Sequence, residues 1–194
     1  MSTLSHRFTE LTKLIPEFRV YAHEAIEDSA NAIIKAFSSE NKILICGNGG
    51  SAADSQHFAA EFVNAFSRDL NRKPLPAIAL STDTSVITSI ANDFTFDNVF
   101  SRQVEAYAKP GDILIALTTS GLSRNCLNAI RVAKSLGVTT IVFTRKDGEI
   151  SKSADIKIEV PSSNTQHIQE CHMLAYHVIV ELVEEVLFRK ANKI

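Results

Sequence analysis

The side chains best suited to chemistry stand in two spaced pairs and three polar loops. His57 and Glu61 lie at i and i+4, and Gln169 and His177 at i and i+8, so each pair falls on one face of a helix. If the two helices pack together, two imidazoles, a carboxylate and an amide oxygen converge. Those are nitrogen and oxygen donors that zinc or a similar divalent ion accepts, and the same groups could serve as a carboxylate base and an imidazole acid. Each pair alone also reads as a helix-stabilising contact on a polar surface. Glu170 and His172 point off the second face.

The first loop, Cys46-Gly-Asn-Gly-Gly-Ser-Ala-Ala-Asp54, reads as an anion cradle before a helix. Gly47, Gly49 and Gly50 let backbone N–H groups approach a ligand, Asn48 and Ser51 add polar groups, and a helix start favours negative charge. It fits neither G-x-G-x-x-G nor G-x-x-x-x-G-K-[ST], which disfavours a dinucleotide or a triphosphate; a tight structural turn is the alternative. The second loop gathers the hydroxyls of Thr118, Thr119, Ser120 and Ser123 around Gly121. Ser123 is placed to cap the next helix through the N–H of Cys126 or its neighbour, while the density of hydroxyls suits a phosphate monoester. Asn92 and Asp93, with Asp97 four residues on, form a third cluster that would pass for a solvated turn by itself.

Positioning these groups requires strands and helices in alternation. Compact apolar runs at Lys42 to Cys46, Ala77 to Leu80, Ile113 to Leu117, Thr139 to Phe143 and Ile156 to Val160 read as buried strands. Helical patterns cover Ala52 to Phe66, Thr84 to Ile90, Asp97 to Ala106, Ser123 to Leu136 (with Gly137 as its stop) and Thr165 to Lys190. The expected fold is α/β: a doubly wound, five-stranded parallel sheet, whose ligand crevice lies at the carboxyl ends of the strands. Upstream, apolar spacing predicts two amphipathic helices, with Pro16 opening the second, that either cover the core or meet another subunit.

The 194 residues fit a single domain, and 45% hydrophobic content excludes a disordered chain. Twenty basic against 22 acidic residues leave a net charge of −2, without the positive excess a nucleic-acid binder needs. Met1 to Phe8 holds no apolar run of the export kind, no stretch nears 18 apolar residues, and Cys46, Cys126 and Cys171 form no C-x-x-C pair. These features predict a cytoplasmic protein with no membrane or nucleic-acid partner. Arg189, Lys190 and Lys193 make a short basic tail.

Taken in order, Cys46-Gly-Asn-Gly-Gly-Ser51, His57-Phe-Ala-Ala-Glu61, Ala91-Asn-Asp-Phe94, Thr119-Ser-Gly121 with Ser123, and Ile168-Gln-Glu-Cys-His172 followed by His177 resemble the sugar isomerase (SIS) fold family. Within it they are most similar to the phosphoheptose isomerases. The resemblance implies one SIS domain over residues 1–194, with a helical region at 1–40 and the core at 41–194. It implies conversion of sedoheptulose 7-phosphate to D-glycero-D-manno-heptose 7-phosphate through an enediolate, an early step toward activated heptose for bacterial surface polysaccharide. Glu61 would be the base and His177 the acid or base on the other side. One zinc per subunit would sit on His57, Glu61, Gln169 and His177. Substrate contacts would fall on Asn48, Gly49, Gly50, Ser51, Glu61, Asn92, Asp93, Thr118, Thr119, Ser120, Ser123 and Gln169. A homotetramer sharing sites between subunits is implied as well. Leu122, Ala65 and the Ser162 to His167 lead-in depart from the usual pattern, which bears on the choice of sugar. Two other readings are a non-catalytic SIS protein that associates with the bacterial replication initiator protein and a phosphosugar-binding regulator. Gln56 to Ala60, Leu80 to Asp83 and Ile90 to Asp93 lean toward the first, but intact Glu61 and His177 favour the enzyme.

Overall fold

All five apolar runs are strands in the computed structural model, which describes residues 2–190. They are β1 (Ile43–Gly47), β2 (Ala77–Ala79), β3 (Ile113–Thr118), β4 (Thr139–Arg145) and β5 (Ile156–Val160). Every pairing is parallel, in the order β2-β1-β3-β4-β5. The helices are α1 (Thr3–Ser38), α2 (Gly50–Val63), α3 (Thr84–Asp93), α4 (Ser101–Tyr107), α5 (Arg124–Ser135) and α6 (Thr165–Glu184). A wider-wound segment, Glu185–Lys190, prolongs α6. Met1 and Lys193 lie outside the described residues. Among those described, no helix is long and apolar enough to cross a membrane.

Helices cover both faces of the sheet, so β1 and β3 are buried throughout, and alternate residues feed two cores. Ile43, Ile45, Ile113, Ile115, Leu117, Ile141 and Phe143 pack with buried residues of α1, α2 and α6. Leu44, Cys46, Leu114, Ala116 and Val142 pack with those of α4 and α5 and with Ile90 of α3. Gly137 stops α5 as expected. At φ +71° it lets its own N–H reach the Lys134 carbonyl while the Val138 N–H reaches that of Ala133.

The amino-terminal expectation needs correction: one 36-residue helix replaces two, with Pro16 inside it. Proline removes an N–H and crowds the carbonyl four residues back. Here that carbonyl belongs to Thr12, and both residues lie on the exposed side, where water can serve it. Leu14, Phe18, Ala22, Ala30 and Ile33 form the buried stripe that carries the helix past the break.

The sheet order fixes where a ligand goes. From β1 the chain crosses to β2 on one side, then returns past β1 to β3 on the other. Strand order therefore reverses between β1 and β3, and the crevice outside their carboxyl ends is where open α/β sheets bind ligands. The glycine-rich loop follows β1 and the hydroxyl-rich loop follows β3.

Candidate active site

The two loops of this crevice are tied to each other. Asn48 Nδ2 donates to Asn125 Oδ1 at 2.9 Å and Asn125 Nδ2 returns a bond to Asn48 Oδ1 at 2.8 Å. Asn48 thus holds its own loop against the first turn of α5. Asn125 was missed in the sequence; its signal was an amide among the apolar positions of a buried helix face. Gly49 takes φ +56°, and a Cβ built there would meet nothing within 4 Å, so the loop opens onto free space. Gly50 answers to a close approach instead: a Cβ there would lie 2.5 Å from Gln169 Oε1. Ser51 is buried at the start of α2.

In the second loop the expected cap is not made. Ser123 Oγ lies 2.9 Å from Thr118 Oγ1, across the loop, and the Cys126 N–H donates to Asn125 Oδ1. The Thr118 hydroxyl also stands 3.4 Å from Ser120 Oγ, which accepts the Leu122 N–H. Thr119 is half-buried beside them and Ser120 is exposed. Three hydroxyls thus cluster at the carboxyl end of β3, ahead of a helix start whose N-cap residue, Ser123, makes no side-chain cap. Such a place suits an anion. Asn92 and Asp93, by contrast, are exposed at the end of α3, where Asn92 Nδ2 donates to Asp93 Oδ1 at 2.8 Å. No described hydrogen bond ties them to either loop.

Helices α2 and α6 do meet, within one chain, and bring His177 to the His57–Glu61 pair, while Gln169 faces Asp54. His57 Nε2 lies 2.9 Å from Glu61 Oε1, and the His57 and His177 rings stand edge to face at 5.1 Å. One ligand atom from each of His57, Glu61 and His177 falls within 4.8 Å of the others. His177 Nε2 is buried without a hydrogen-bond partner, which leaves a lone pair or a proton free for use in the site. Burial, then the neighbouring His57 charge, hold His177 below the ordinary imidazole value, with Glu61 opposing. Neutral imidazole and carboxylate at this spacing fit a divalent cation. Gln169, two turns earlier on α6, donates its amide to Asp54 at 2.9 Å. Burial raises the Asp54 carboxyl above its usual value, against the opposing Gln169 bond and His57 charge.

Two supporting groups were not singled out in the sequence. The Tyr176 hydroxyl sits 2.9 Å from His57 Nδ1, and burial, with Asp54 and Glu61 nearby, pushes it well above the usual phenol value. Behind Glu61, Arg72, whose side chain is fully buried, donates to the carbonyls of Glu61 (2.7 Å), Phe62 (2.9 Å) and Lys73 (3.0 Å) and to Glu184 Oε1 (2.8 Å). Glu184 also accepts the Phe66 and Ser67 N–H groups. This clamp joins the end of α2 to the end of α6. Ala65, close by, supplies no side-chain donor to the site.

The chain is similar to known proteins over most of its length. The SIS domain family model matches residues 7–145. The chain is 50% identical over 166 residues to a phosphoheptose isomerase of Clostridium acetobutylicum, covering 85% of this chain and 84% of that one. It is 49% identical over 173 residues to a phosphoheptose isomerase of Aquifex aeolicus, covering 89% of each. A solved phosphoheptose isomerase structure from Neisseria gonorrhoeae superimposes with a TM-score of 0.88 at 36% identity, over 94% of this chain and 97% of that one.

Proposed function

We infer, since this chain belongs to the SIS domain family and within it to the phosphoheptose isomerases, that it interconverts sedoheptulose 7-phosphate and D-glycero-D-manno-heptose 7-phosphate. It is an enzyme of heptose biosynthesis, an aldose–ketose isomerase. The observation that best supports the residue assignments is the meeting of His57, Glu61 and His177 beside the crevice between β1 and β3.

The phosphate goes to the hydroxyls of Thr118, Thr119, Ser120 and Ser123 at the start of α5, and the sugar chain runs from there past Gly49, Gly50 and Ser51 toward α2 and α6. Binding energy at the phosphate, remote from the reacting carbons, fixes C1 and C2 against the acid–base groups. Glu61 takes a proton from C1 of the ketose, giving an enediolate, and returns it to C2. His177 gives a proton to O2 and takes the one leaving O1, so the carbonyl moves from C2 to C1 with no net gain or loss of protons. Its neutral imidazole suits that exchange. His57, Glu61 and His177, with Gln169 as a fourth donor, form the set we assign to zinc, which when bound would polarise the sugar oxygens as a Lewis acid. Asn48 acts through Asn125 on the shape of the cradle.

The same reading includes a cytoplasmic homotetramer acting on a small phosphorylated sugar, with neither nucleic acid nor membrane as partner. Buried free cysteines at 46, 126 and 171 fit a reducing compartment. Exposed Ile15 and Leu174, which line one groove between α1 and α6, fit a face covered by another copy. Asn92 and Asp93, which make no described bond to the loops of their own chain, are assigned to substrate on the resemblance alone. The test is turnover of sedoheptulose 7-phosphate by the purified protein, with chelator and with added zinc, beside Glu61→Gln and His177→Asn. Turnover that both variants lose supports the assignments. A folded protein that binds the sugar phosphate without converting it in any metal state would make it a binding protein.

A further inference from the structure

We propose that Tyr176 is a positioning residue of this site, whose phenol, bonded to His57 Nδ1, fixes that imidazole with Nε2 turned toward Glu61 and His177. The ring itself is held by packing. It is fully buried, stacks on Phe58 with centroids 4.9 Å apart at 19°, and meets the His57 and His177 rings edge to face at 5.5 and 4.8 Å. A ring so confined delivers its hydroxyl to one place, 2.9 Å from His57 Nδ1. His57 needs such an anchor, because its side chain is still 42% exposed. Held only by Glu61 at Nε2, it would be free to turn away; held at both nitrogens, it has one orientation.

A phenol suits this task because it both donates and accepts. When Nε2 carries the proton and shares it with Glu61, Nδ1 is an acceptor and Tyr176 donates to it. When Nε2 presents its lone pair to the site, the proton sits on Nδ1 and the Tyr176 oxygen accepts it. The hydroxyl rotates between the two states without gaining or losing a proton. A ring nitrogen facing away from a cation and bonded to a fixed partner sets the tautomer and the ring orientation. This second state, and only this one, rests on reading the cluster as a metal centre.

Tyr176→Phe removes one oxygen and keeps the stacked ring, so the fold should hold, with a thermal midpoint near that of the parent. Zinc affinity, read by competition with a chromophoric chelator on the purified full chain, is expected to fall about 10–100-fold. Steady-state kinetics should show kcat reduced and KM for the sugar phosphate unchanged, since the phosphate loop follows β3. In metal-free protein, the ¹⁵N shifts of the labelled His57 ring should report one tautomer in the parent and a mixture in the variant. Equal zinc affinity in the two proteins would overturn the proposal. Should the parent bind no zinc, the metal reading fails and the His57 ring shifts decide: identical spectra would then overturn the role of Tyr176.

Discussion

Glu61 and His177 differ from the residues around them in having no structural duty that a neutral isostere could not perform. Glu61→Gln keeps the shape and loses the base; His177→Asn loses an imidazole nitrogen that is already unpartnered. Each is expected to lower kcat by about 10²–10⁴-fold while calorimetric binding of the sugar phosphate stays close to that of the parent. Gly50 makes a different kind of prediction. The methyl of Gly50→Ala would displace the Gln169 amide and strip Asp54 of its donor, a loss worth about 1–3 kcal/mol for a buried acceptor. If that is the whole effect, Gly50→Ala added to Gln169→Ala costs nothing more in urea unfolding, and additive costs would contradict it. The spaced pairs were legible in the sequence because helical periodicity alone puts i, i+4 and i+8 on one face. Tyr176, Asp54 and Asn125 were not, because their partners lie 119, 115 and 77 residues away in the chain. The Ser123 cap failed for a related reason: a tight loop offered its hydroxyl a nearer partner in Thr118 than the helix did.

At the scale of elements, strands were easy to read since each is a short, largely apolar run, with β1 and β3 buried on both faces, and only their ends shifted by a residue or two. The break at Pro16 was misread because local propensity argues for a stop, while the stripe from Leu14 to Ile33 docks on α6 and β5 and outweighs it. What composition could not reveal is how α2 and α6 are held at the angle that joins His57 to His177. The Arg72–Glu184 pair does this, with its carboxylate and guanidinium satisfying five backbone groups of α2 and the following loop. Removing one partner leaves the other charge buried, so Arg72→Met should cost about 3–5 kcal/mol in urea unfolding. Turnover should fall as well, since the last turn of α2 carries Glu61. A loss below about 1 kcal/mol would mean that the surrounding loop rearranges and the clamp is dispensable.

Over the whole molecule, a sheet covered on both sides leaves little room for charge, and the exceptions decide how the fold responds to acid. His172 is fully buried beneath β4, edge-on to Phe143 at 5.7 Å, with neither ring nitrogen bonded. Burial lowers its pKa from 6.5 to about 4, outweighing an opposing influence of the nearby Thr144 backbone. The folded protein therefore keeps His172 neutral where the unfolded chain would protonate it. Its contribution is complete above the unfolded value near 6.5 and is lost as pH falls toward 4, about 3 kcal/mol in all and about 2 kcal/mol of it between pH 7 and 5. Glu184 acts in the same direction lower down. Burial works against its charge, but Arg72 and the Phe66 and Ser67 N–H groups outweigh it and hold the carboxyl below 4.5, so its share is lost only as pH falls past that value. The two windows separate the causes. In His172→Leu, which fills the space without a titrating ring, the loss of unfolding free energy between pH 7 and 5 should shrink by about 2 kcal/mol relative to the parent, while the loss below pH 4 stays. Urea melts at pH 7, 5, 4 and 3 measure this directly. Parallel pH profiles for the two proteins would show that His172 does not titrate across this range, and that the acid response originates elsewhere.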